Sequence, residues 1–302
     1  MLTNNYLNKI LEIVFKNDKR HFKKLKENIS NFDEQYFIDS NIFFTRYDNY
    51  LKKINKNFSF AVNAYLKMVK TMNYEHFEFL RSGKYSSSSF DEVNLNVYSN
   101  PKVMENLLHG LILSQFLWKQ HYETFRYFCS NFTNILKPKN NYLEIGAGHG
   151  LYLSKVVDNF KKNLNYTVID ISQTSINFSK NFIANKSISY ICEDIFYFKP
   201  KMNYDFITMG EVLEHVEDPV NLLKRVKNLL NKNGCLFITT PTNAPSIDHI
   251  YLFNNVEEIR EMIYKCGFKI LKENIVCSEN ASENKINQKK ISEMYSAFLS
   301  NI

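Results

Sequence analysis

Hydrophobic residues are spaced in two different ways along the chain, and the spacing changes near Pro138. Before that point they recur at helical intervals, as in Leu7, Ile10, Leu11 and Val14. After it, short apolar runs alternate with amphipathic segments. The first spacing predicts an all-helical half, and the second predicts strands and helices in βαβ order.

The alternating half is expected to form a doubly wound, mostly parallel α/β sheet of the Rossmann-like kind. Strands are predicted near Tyr142–Ile145, Tyr166–Ile169, Ser187–Ile191, Asp205–Met209, Cys235–Thr239 and Phe268–Val276. Helices are predicted near Leu151–Lys161, Gln173–Ile183, Pro219–Leu230 and Val256–Cys266. No clear seventh strand follows. Ligands of such sheets bind beyond the carboxyl ends of the strands.

Three regions follow from these patterns. Residues 1–136 are predicted to form a helical lid or substrate domain, residues 137–278 the sheet domain, and residues 279–302 a polar tail or helix. The 302 residues, of which 44% are hydrophobic, suffice for one large or two modest domains.

Composition indicates a cytoplasmic globular protein. The first residues contain no apolar signal segment, and no run approaches the roughly 18 apolar residues that span a membrane. The five cysteines lack CxxC spacing and are expected to be reduced core residues. We therefore expect no membrane partner, and the oligomeric state is left open.

The net charge of +7 lies entirely in the first 140 residues, which hold 20 lysines and arginines against 13 acidic residues. The remainder holds 18 of each. Such a basic half is more often a set of solvated helix faces than a binding surface. It leaves open an anionic small-molecule substrate, or a nucleic-acid partner as a less favoured alternative.

The segment Asn141–Gly150 is an apolar run that ends in the glycine-rich loop Gly146-Ala147-Gly148-His149-Gly150. Dinucleotide folds place a third glycine where Leu151 stands here, so a ligand without a pyrophosphate is favoured. Glu144 lies two positions before the first glycine. This arrangement resembles the first motif of class I S-adenosylmethionine-dependent methyltransferases.

Two further strand ends carry carboxylates. Asp170 ends the second predicted strand and could accept hydrogen bonds from two ribose hydroxyls, and Asp194 follows the third, where it could face an adenine. Either residue alone could equally be a helix cap or a solvated strand end. The resemblance implies S-adenosylmethionine as cofactor. It assigns to the cofactor site Glu144, Gly146, Ala147, Gly148, Gly150, Asp170, Ile171, Asp194, Ile195 and Met209.

The segment Met209–Pro219 resembles the fourth motif of ubiquinone-biosynthesis O-methyltransferases and should lie where the acceptor meets the methyl group. Methylation of a hydroxyl requires removal of its proton. His215 is a candidate base, because its ordinary pKa is near neutrality and neighbouring carboxylates would stabilise its charged form. Glu211 and Glu214 are the candidate catalytic partners.

A metal site is the second interpretation of the same motif. In a helical turn, Glu211, Glu214 and His215 would project from one face, and His249 would approach from the loop after the fifth strand. The pattern is similar to that of metal-dependent methyltransferases of the terminal 2′-hydroxyl of small RNAs. The resemblance implies a divalent ion that chelates two neighbouring hydroxyls, with Mn²⁺, Fe²⁺, Co²⁺ or Zn²⁺ suiting the ligands better than Mg²⁺. The alternative is a hydrogen-bonded structural pair of Glu214 and His215.

Aromatic and polar residues of the helical half are candidates for the acceptor pocket. Trp118, His121, Tyr122 and Tyr251 could contact a small molecule, although core packing is the more common role of such aromatics.

These observations together predict an S-adenosylmethionine-dependent O-methyltransferase that acts on a hydroxyl of a small molecule, for example a sugar or another vicinal diol. Alternatives are N-methylation of a small-molecule amine, or 2′-O-methylation of a bound RNA.

Overall fold

A computed structural model describes residues 5–279, 286 and 289–301. Seven helices precede the sheet in this described part, as the spacing of the hydrophobic residues predicts. They are α1 (Asn5–Asn17), α2 (Lys19–Ser30), α3 (Glu34–Lys53), α4 (Phe58–Ser82), α5 (Phe90–Val93), α6 (Pro101–Leu117) and α7 (Lys119–Ile135). A π-helical turn, Asn94–Tyr98, connects α5 to the segment before α6.

Short polar side chains determine where several of these helices begin. Asp18, Asp33, Asn57 and Asn100 each accept a hydrogen bond from the backbone N–H three residues further on. This contact satisfies one of the otherwise unpaired donors of the first turn. Pro101 follows Asn100 at the first helical position, where its missing N–H costs nothing.

The second half forms one seven-stranded sheet with the order β3-β2-β1-β4-β5-β7-β6. Its strands are β1 (Asn141–Ile145), β2 (Asn165–Asp170), β3 (Ile188–Cys192), β4 (Tyr204–Gly210), β5 (Leu230–Pro241), β6 (Phe268–Cys277) and β7 (Glu293–Asn301). Its helices are α8 (Leu151–Phe160), α9 (Gln173–Ile183), α10 (Pro219–Leu229) and α11 (Val256–Lys265). The first five strands are parallel. The predicted α/β class and helical N-terminal half are confirmed.

The last strand corrects the prediction for the end of the chain. Glu293–Asn301 was expected to belong to a polar tail or helix, whereas it forms β7 between β5 and β6 and runs antiparallel to both. Met294 to Leu299 are all buried, so the alternating pattern of a half-exposed strand is missing. A strand covered on both faces is hard to distinguish from a weakly amphipathic helix.

Two hydrophobic clusters cover the two faces of the sheet. One contains α10 and α11 residues such as Leu223 and Ile259. The other combines the N-terminal helices with the sheet, because Phe128 of α7 packs against Phe237 of β5 at a ring-centroid distance of 4.8 Å. Since the helical half and the sheet share a hydrophobic cluster, the predicted domain boundary at residue 136 stays a prediction.

None of the described helices has the length and apolar character needed to cross a membrane.

Candidate active site

A cavity of about 460 Å³ lies where the carboxyl ends of the parallel strands face the helical half. The glycine-rich loop after β1 and the loops after β2, β3 and β4 line one side. Leu107, Leu108 and Leu111 of α6 line the other. The cavity therefore occupies the position at which doubly wound sheets bind ligands.

Backbone conformation at the glycine loop requires glycine at two positions. Gly146 has a φ of 66° and Gly150 a φ of 73°, a region that strains L side chains. A Cβ on Gly146 would lie 2.7 Å from Cγ2 of Val212, and one on Gly150 would lie 3.0 Å from Cβ of Ser179. Gly146 lies in the cavity wall, whereas Gly150 permits close packing of the loop against α9.

Three carboxylates that were predicted to surround the ligand lie in the cavity wall. Glu144 comes from β1, Asp170 from the end of β2 and Asp194 from the loop after β3. Ile171 and Ile195 line the wall beside the last two. The acidic side chains therefore follow one another across the edge of the sheet, in the order β1, β2, β3.

Asp170 is held by two backbone donors. Its Oδ2 accepts from the N–H of Gly148 at 3.1 Å, and its Oδ1 accepts from the N–H of Ser172 at 2.8 Å. Burial raises the pKa of Asp170 to about 6, although these hydrogen bonds favour the ionised form. A carboxylate has about four lone-pair positions, so two more hydrogen bonds can be accepted from a ligand.

Glu144 is engaged within the sheet. The hydroxyl of Tyr142 donates to Glu144 Oε2, and the hydroxyl of Thr208 donates to Tyr142 at 2.7 Å. Burial raises the pKa of Glu144 to about 8. A nearby cation would shift that pKa back down, because it favours the charged carboxylate.

Glu214, His215 and His249 form a compact group beside the cavity. One ligand atom from each lies within 4.8 Å of the other two. Glu214 and His215 belong to a short 3₁₀ helix after β4, and His249 lies in the loop after β5. The N–H groups of Ile250 and Tyr251 donate to the backbone oxygen of Glu214 at 2.8 and 3.0 Å, which ties the two segments together.

Within the described part of the chain, one potential metal-ligand atom of each residue in this group has no hydrogen-bond partner. Glu214 Oε2 accepts from the Thr240 hydroxyl at 2.8 Å, whereas its buried Oε1 has no hydrogen-bond partner. His249 Nδ1 is also buried without a partner. His215 Nδ1 donates to the backbone oxygen of Asp248 at 2.8 Å, which leaves the lone pair on Nε2, 4.0 Å from Glu214 Oε1.

Electrostatics couples the two imidazoles to Asp248. Burial acts to lower the pKa of His215, but the carboxylates of Asp248 and Glu214 raise it above its ordinary value overall. Burial acts to raise the pKa of Asp248, and the charges of His215 and His249 lower it overall. For His249, burial lowers the pKa to about 4, so its imidazole is neutral at pH 7 and available as a metal ligand.

Comparison with known proteins identifies the sheet domain. A family model described as a methyltransferase domain matches residues 118–272, about half of the chain. The chain belongs to this methyltransferase domain family. The predicted membership of the class I S-adenosylmethionine-dependent methyltransferase superfamily is thereby confirmed.

Curated relatives of this methyltransferase include O-methyltransferases. Malonyl-[acyl-carrier protein] O-methyltransferase 1 of Ilyobacter polytropus is 24% identical over 154 residues, which are 46% of this chain and 57% of that protein. Ubiquinone biosynthesis O-methyltransferase of Coxiella burnetii is 36% identical over 101 residues, 32% of this chain and 42% of that protein. The chain thus spans about half the length of the curated relatives it matches.

A solved structure supports the fold. Phosphoethanolamine N-methyltransferase 2 of Haemonchus contortus, in complex with S-adenosyl-L-methionine, superposes with a TM-score of 0.53. It is 14% identical and covers 72% of this chain and 60% of its own. At that identity the similarity concerns the fold of the methyltransferase alone.

The methyltransferase motif after β4 differs from the predicted geometry at Glu211. A helical turn was expected to align Glu211 with Glu214 and His215, and this was wrong. Glu211 has a φ of 52° and precedes the 3₁₀ helix, since its N–H donates to the oxygen and hydroxyl of Thr239 at 2.9 and 3.0 Å. Its carboxylate lines the cavity outside the group of three, and burial beside Glu214 raises its pKa to about 8.

Among the remaining predicted site residues, Trp118 and His121 line the cavity of the methyltransferase. Met209 and Tyr122 lie elsewhere, since Met209 is in the core and the Tyr122 hydroxyl donates to Asp39 at 2.9 Å. Tyr251 packs on Phe253 at 4.8 Å and is 37% exposed. The spacing of these residues in the sequence does not determine whether their side chains point into the cavity or into the core.

Two residues of the site, Tyr98 in the cavity wall and Thr240 behind Glu214, were missed by reasoning from the sequence. Tyr98 ends the π-helical turn and lies with its ring 6.2 Å from that of His215. Thr240 holds Glu214 from inside β5. A π-helical turn has no sequence pattern of its own, and a threonine within a buried strand resembles any core residue. Neither residue carried a signal that could have identified it.

Proposed function

We propose that the protein transfers the methyl group of S-adenosylmethionine to a hydroxyl of a small molecule that carries a second hydroxyl beside it. Glu214, His215 and His249 are the residues that activate the acceptor in this proposal. The cavity that holds Asp170 and Asp194 also contains His215 and His249, so donor and acceptor groups can meet within it. The two curated relatives described above are named as O-methyltransferases.

The observation that carries this proposal is the pair of buried atoms Glu214 Oε1 and His249 Nδ1, neither of which has a hydrogen-bond partner among the described residues. Buried polar atoms without partners are costly, and a native structure keeps few of them. Here both lie in one group of potential metal ligands with His215. A divalent cation bound by Glu214, His215 and His249 would give each of these atoms a partner.

The donor set of one carboxylate and two imidazoles fits a divalent metal such as Mn²⁺, Fe²⁺, Co²⁺ or Zn²⁺. When bound, such an ion supplies Lewis acidity that lowers the pKa of a coordinated hydroxyl. Other residues of the chain orient two of these ligands by hydrogen bonds. The Asp248 oxygen fixes the tautomer of His215 through Nδ1–H, and the Thr240 hydroxyl orients Glu214.

Metal analysis and activity together test the proposal. Purified protein is analysed for first-row metals by mass spectrometry, and methyl transfer is then followed with catechol and a methyl glucoside as diol probes. We expect bound metal, and loss of both metal and transfer after stripping with EDTA. His249→Ala should lose the metal, whereas His76→Ala on the exposed face of α4 should retain it. Full methyl transfer by metal-free protein would refute metal assistance.

A metal-free base is the second candidate mechanism. It is favoured by the raised pKa of His215 and by the free Nε2 lone pair, which could accept the hydroxyl proton. Under this mechanism EDTA leaves transfer intact while His215→Ala abolishes it.

The charge of the cavity wall bears on the acceptor. Among the described lining residues eight carry carboxylates and none is lysine or arginine. An anionic acceptor is therefore disfavoured relative to a neutral or cationic one. N-methylation of an amine stays the alternative reaction, and retention of transfer to an amine after metal removal would favour it.

A further inference from the structure

Residues 83–90, here called the strap, lead from the end of α4 into the first residue of α5 and contact the loops beside the proposed metal site. The Ser87 hydroxyl donates to the backbone oxygen of Ile247, in the loop after β5, at 3.1 Å. The backbone N–H of Phe90 donates to Glu217 Oε1, between the 3₁₀ helix and α10, at 3.0 Å. The strap therefore joins the helical half to both segments that supply the proposed ligands.

Tyr85 of the strap contacts one of these ligands and the loop that carries it. Its hydroxyl oxygen accepts from the backbone N–H of Ala244 at 3.0 Å. Its ring meets the imidazole of His249 edge-on, with a centroid distance of 5.9 Å and an interplanar angle of 62°. Ala244 and His249 line the cavity, whereas Tyr85 is not among the described lining residues. Tyr85 thus supports the wall from behind.

The strap is itself fixed to α4. Gly83 ends that helix with a φ of 72°, and its N–H donates to the backbone oxygen of Phe79 at 2.8 Å. The Ser86 hydroxyl donates to the buried carboxylate of Glu75. The ring of Tyr85 lies 5.6 Å from that of Phe79. Because the strap is held on both sides of Tyr85, this side chain can act as a rigid support.

The direction of the His249 ring matters for metal binding, because the ligand atom Nδ1 has no hydrogen-bond partner among the described residues that could orient it. Two rings pack edge-on against the imidazole, those of His215 at 4.8 Å and of Tyr85 at 5.9 Å. His215 is itself a proposed ligand. Tyr85 is therefore the neighbour that orients His249 from outside the group of three.

This support comes from a part of the chain outside the matched methyltransferase domain. The family model covers residues 118–272, and the whole strap precedes them. The helical half therefore contributes to the geometry of a ligand whose own loop belongs to the sheet domain.

We propose that Tyr85 is a positioning residue of the metal site, which anchors the loop at Ala244 and directs Nδ1 of His249 toward the cation. This inference rests on the proposed function, because it supposes a cation bound by Glu214, His215 and His249. Metal affinity then depends on a residue that touches neither metal nor substrate. Loss of such an outer partner commonly weakens metal binding by roughly tenfold to a hundredfold.

Titration of the metal-free, full-length protein with Co²⁺ tests the inference, because the visible absorption of this ion reports its coordination geometry. Tyr85→Phe keeps the ring and removes the acceptor for Ala244, and it should weaken Co²⁺ binding by roughly tenfold. Tyr85→Leu also removes the ring, so it should approach a hundredfold loss with altered absorption bands. Tyr74→Phe, on the exposed face of α4, is the matched control and should bind Co²⁺ as the wild type does.

Two further measurements separate positioning from a merely structural role. Affinity for S-adenosylhomocysteine should be unchanged in the Tyr85 variants, because Tyr85 is not among the described cavity-lining residues. Thermal unfolding of the metal-free variants shows their stability. A lowered Tm with wild-type Co²⁺ affinity and spectrum would overturn the inference, as would equal losses of affinity for Co²⁺ and S-adenosylhomocysteine.

The outcomes also separate this inference from the proposed function. If the wild type binds Co²⁺ and Tyr85→Phe binds it equally well, only the role of Tyr85 is refuted. If the wild type binds no Co²⁺, the metal of the proposed function is wrong and the inference falls with it. Should Tyr85→Leu not fold, Tyr85→Phe decides alone, because it removes a single oxygen atom.

Discussion

Asp170 is the residue whose protonation should be most visible in donor binding. Its pKa of about 6 lies above the ordinary value of 3.8 because the side chain is buried. The ionised form is the one that accepts ribose hydroxyls, so the proposed contact is nearly complete at pH 7 and is lost as the pH falls through about 6.

We therefore expect the affinity for S-adenosylhomocysteine to be flat from pH 7 to 8 and to weaken by up to about tenfold per pH unit below 6. Calorimetric titration between pH 5 and 8 measures this dependence. Asp170→Asn should bind weakly with a flatter profile. Equal wild-type affinity at pH 5 and pH 7 would contradict the assignment.

Substitution of Gly146 separates the cost of a strained φ from the cost of a steric contact with Val212. Gly146→Ala places a Cβ 2.7 Å from Val212 and keeps a strained φ of 66°. Gly83→Ala is a matched control, because its φ is 72° and the nearest described atom to its new Cβ would be Lys290 Nζ at 4.0 Å. Denaturant unfolding should show a loss of about 1 kcal/mol for Gly83→Ala and a larger loss for Gly146→Ala. Equal losses would show that the Val212 contact relaxes without cost.

At the scale of elements, β7 is the strand whose existence most changes the interpretation of the sequence. It pairs with β5 from Pro241 to Cys235 and with β6 along its whole length. Phe298 is fully buried, with its ring 4.7 Å from Phe237 and 6.4 Å from Phe128 of α7. The strand thus connects the end of the chain to both the sheet and the helical half.

Phe298→Ala should lower the free energy of unfolding by about 3 to 5 kcal/mol, because it leaves a cavity between β7, β5 and α7. Leu271→Ala on β6, where the side chain is 48% exposed, should cost about 0.5 kcal/mol or less. Denaturant titration followed by circular dichroism compares the two. Similar costs for both variants would show that β7 does not pack as described.

For the whole molecule, the shared cluster of the N-terminal helices and the sheet implies that the halves unfold together. We expect one cooperative thermal transition, and S-adenosylhomocysteine at 100 times its Kd should add about 2.7 kcal/mol of stability. Scanning calorimetry with and without the ligand checks both points. Two separate transitions, with only the later one shifted by ligand, would show that the helical half is an independent domain.

The sequence by itself determined the fold class and predicted which residues line one cavity at the edge of the sheet. A change in hydrophobic spacing near Pro138 separates helices from a βαβ sheet, and both signals are local in the chain. Gly146, Asp170 and Asp194 follow predicted strands, so their convergence at one edge of the sheet follows from parallel topology. These predictions depend only on neighbours in sequence.

Only the tertiary structure shows how side chains from distant segments are oriented in the site. Glu211 lies outside the 3₁₀ helix, and its backbone N–H donates to Thr239 of β5. The hydroxyl of Thr240, also on β5, donates to Glu214. The described cavity wall holds eight carboxylates and no lysine or arginine, and this charge balance belongs to a surface assembled from distant segments. Side-chain direction, burial and charge balance arise from packing between elements, and no spacing rule encodes them.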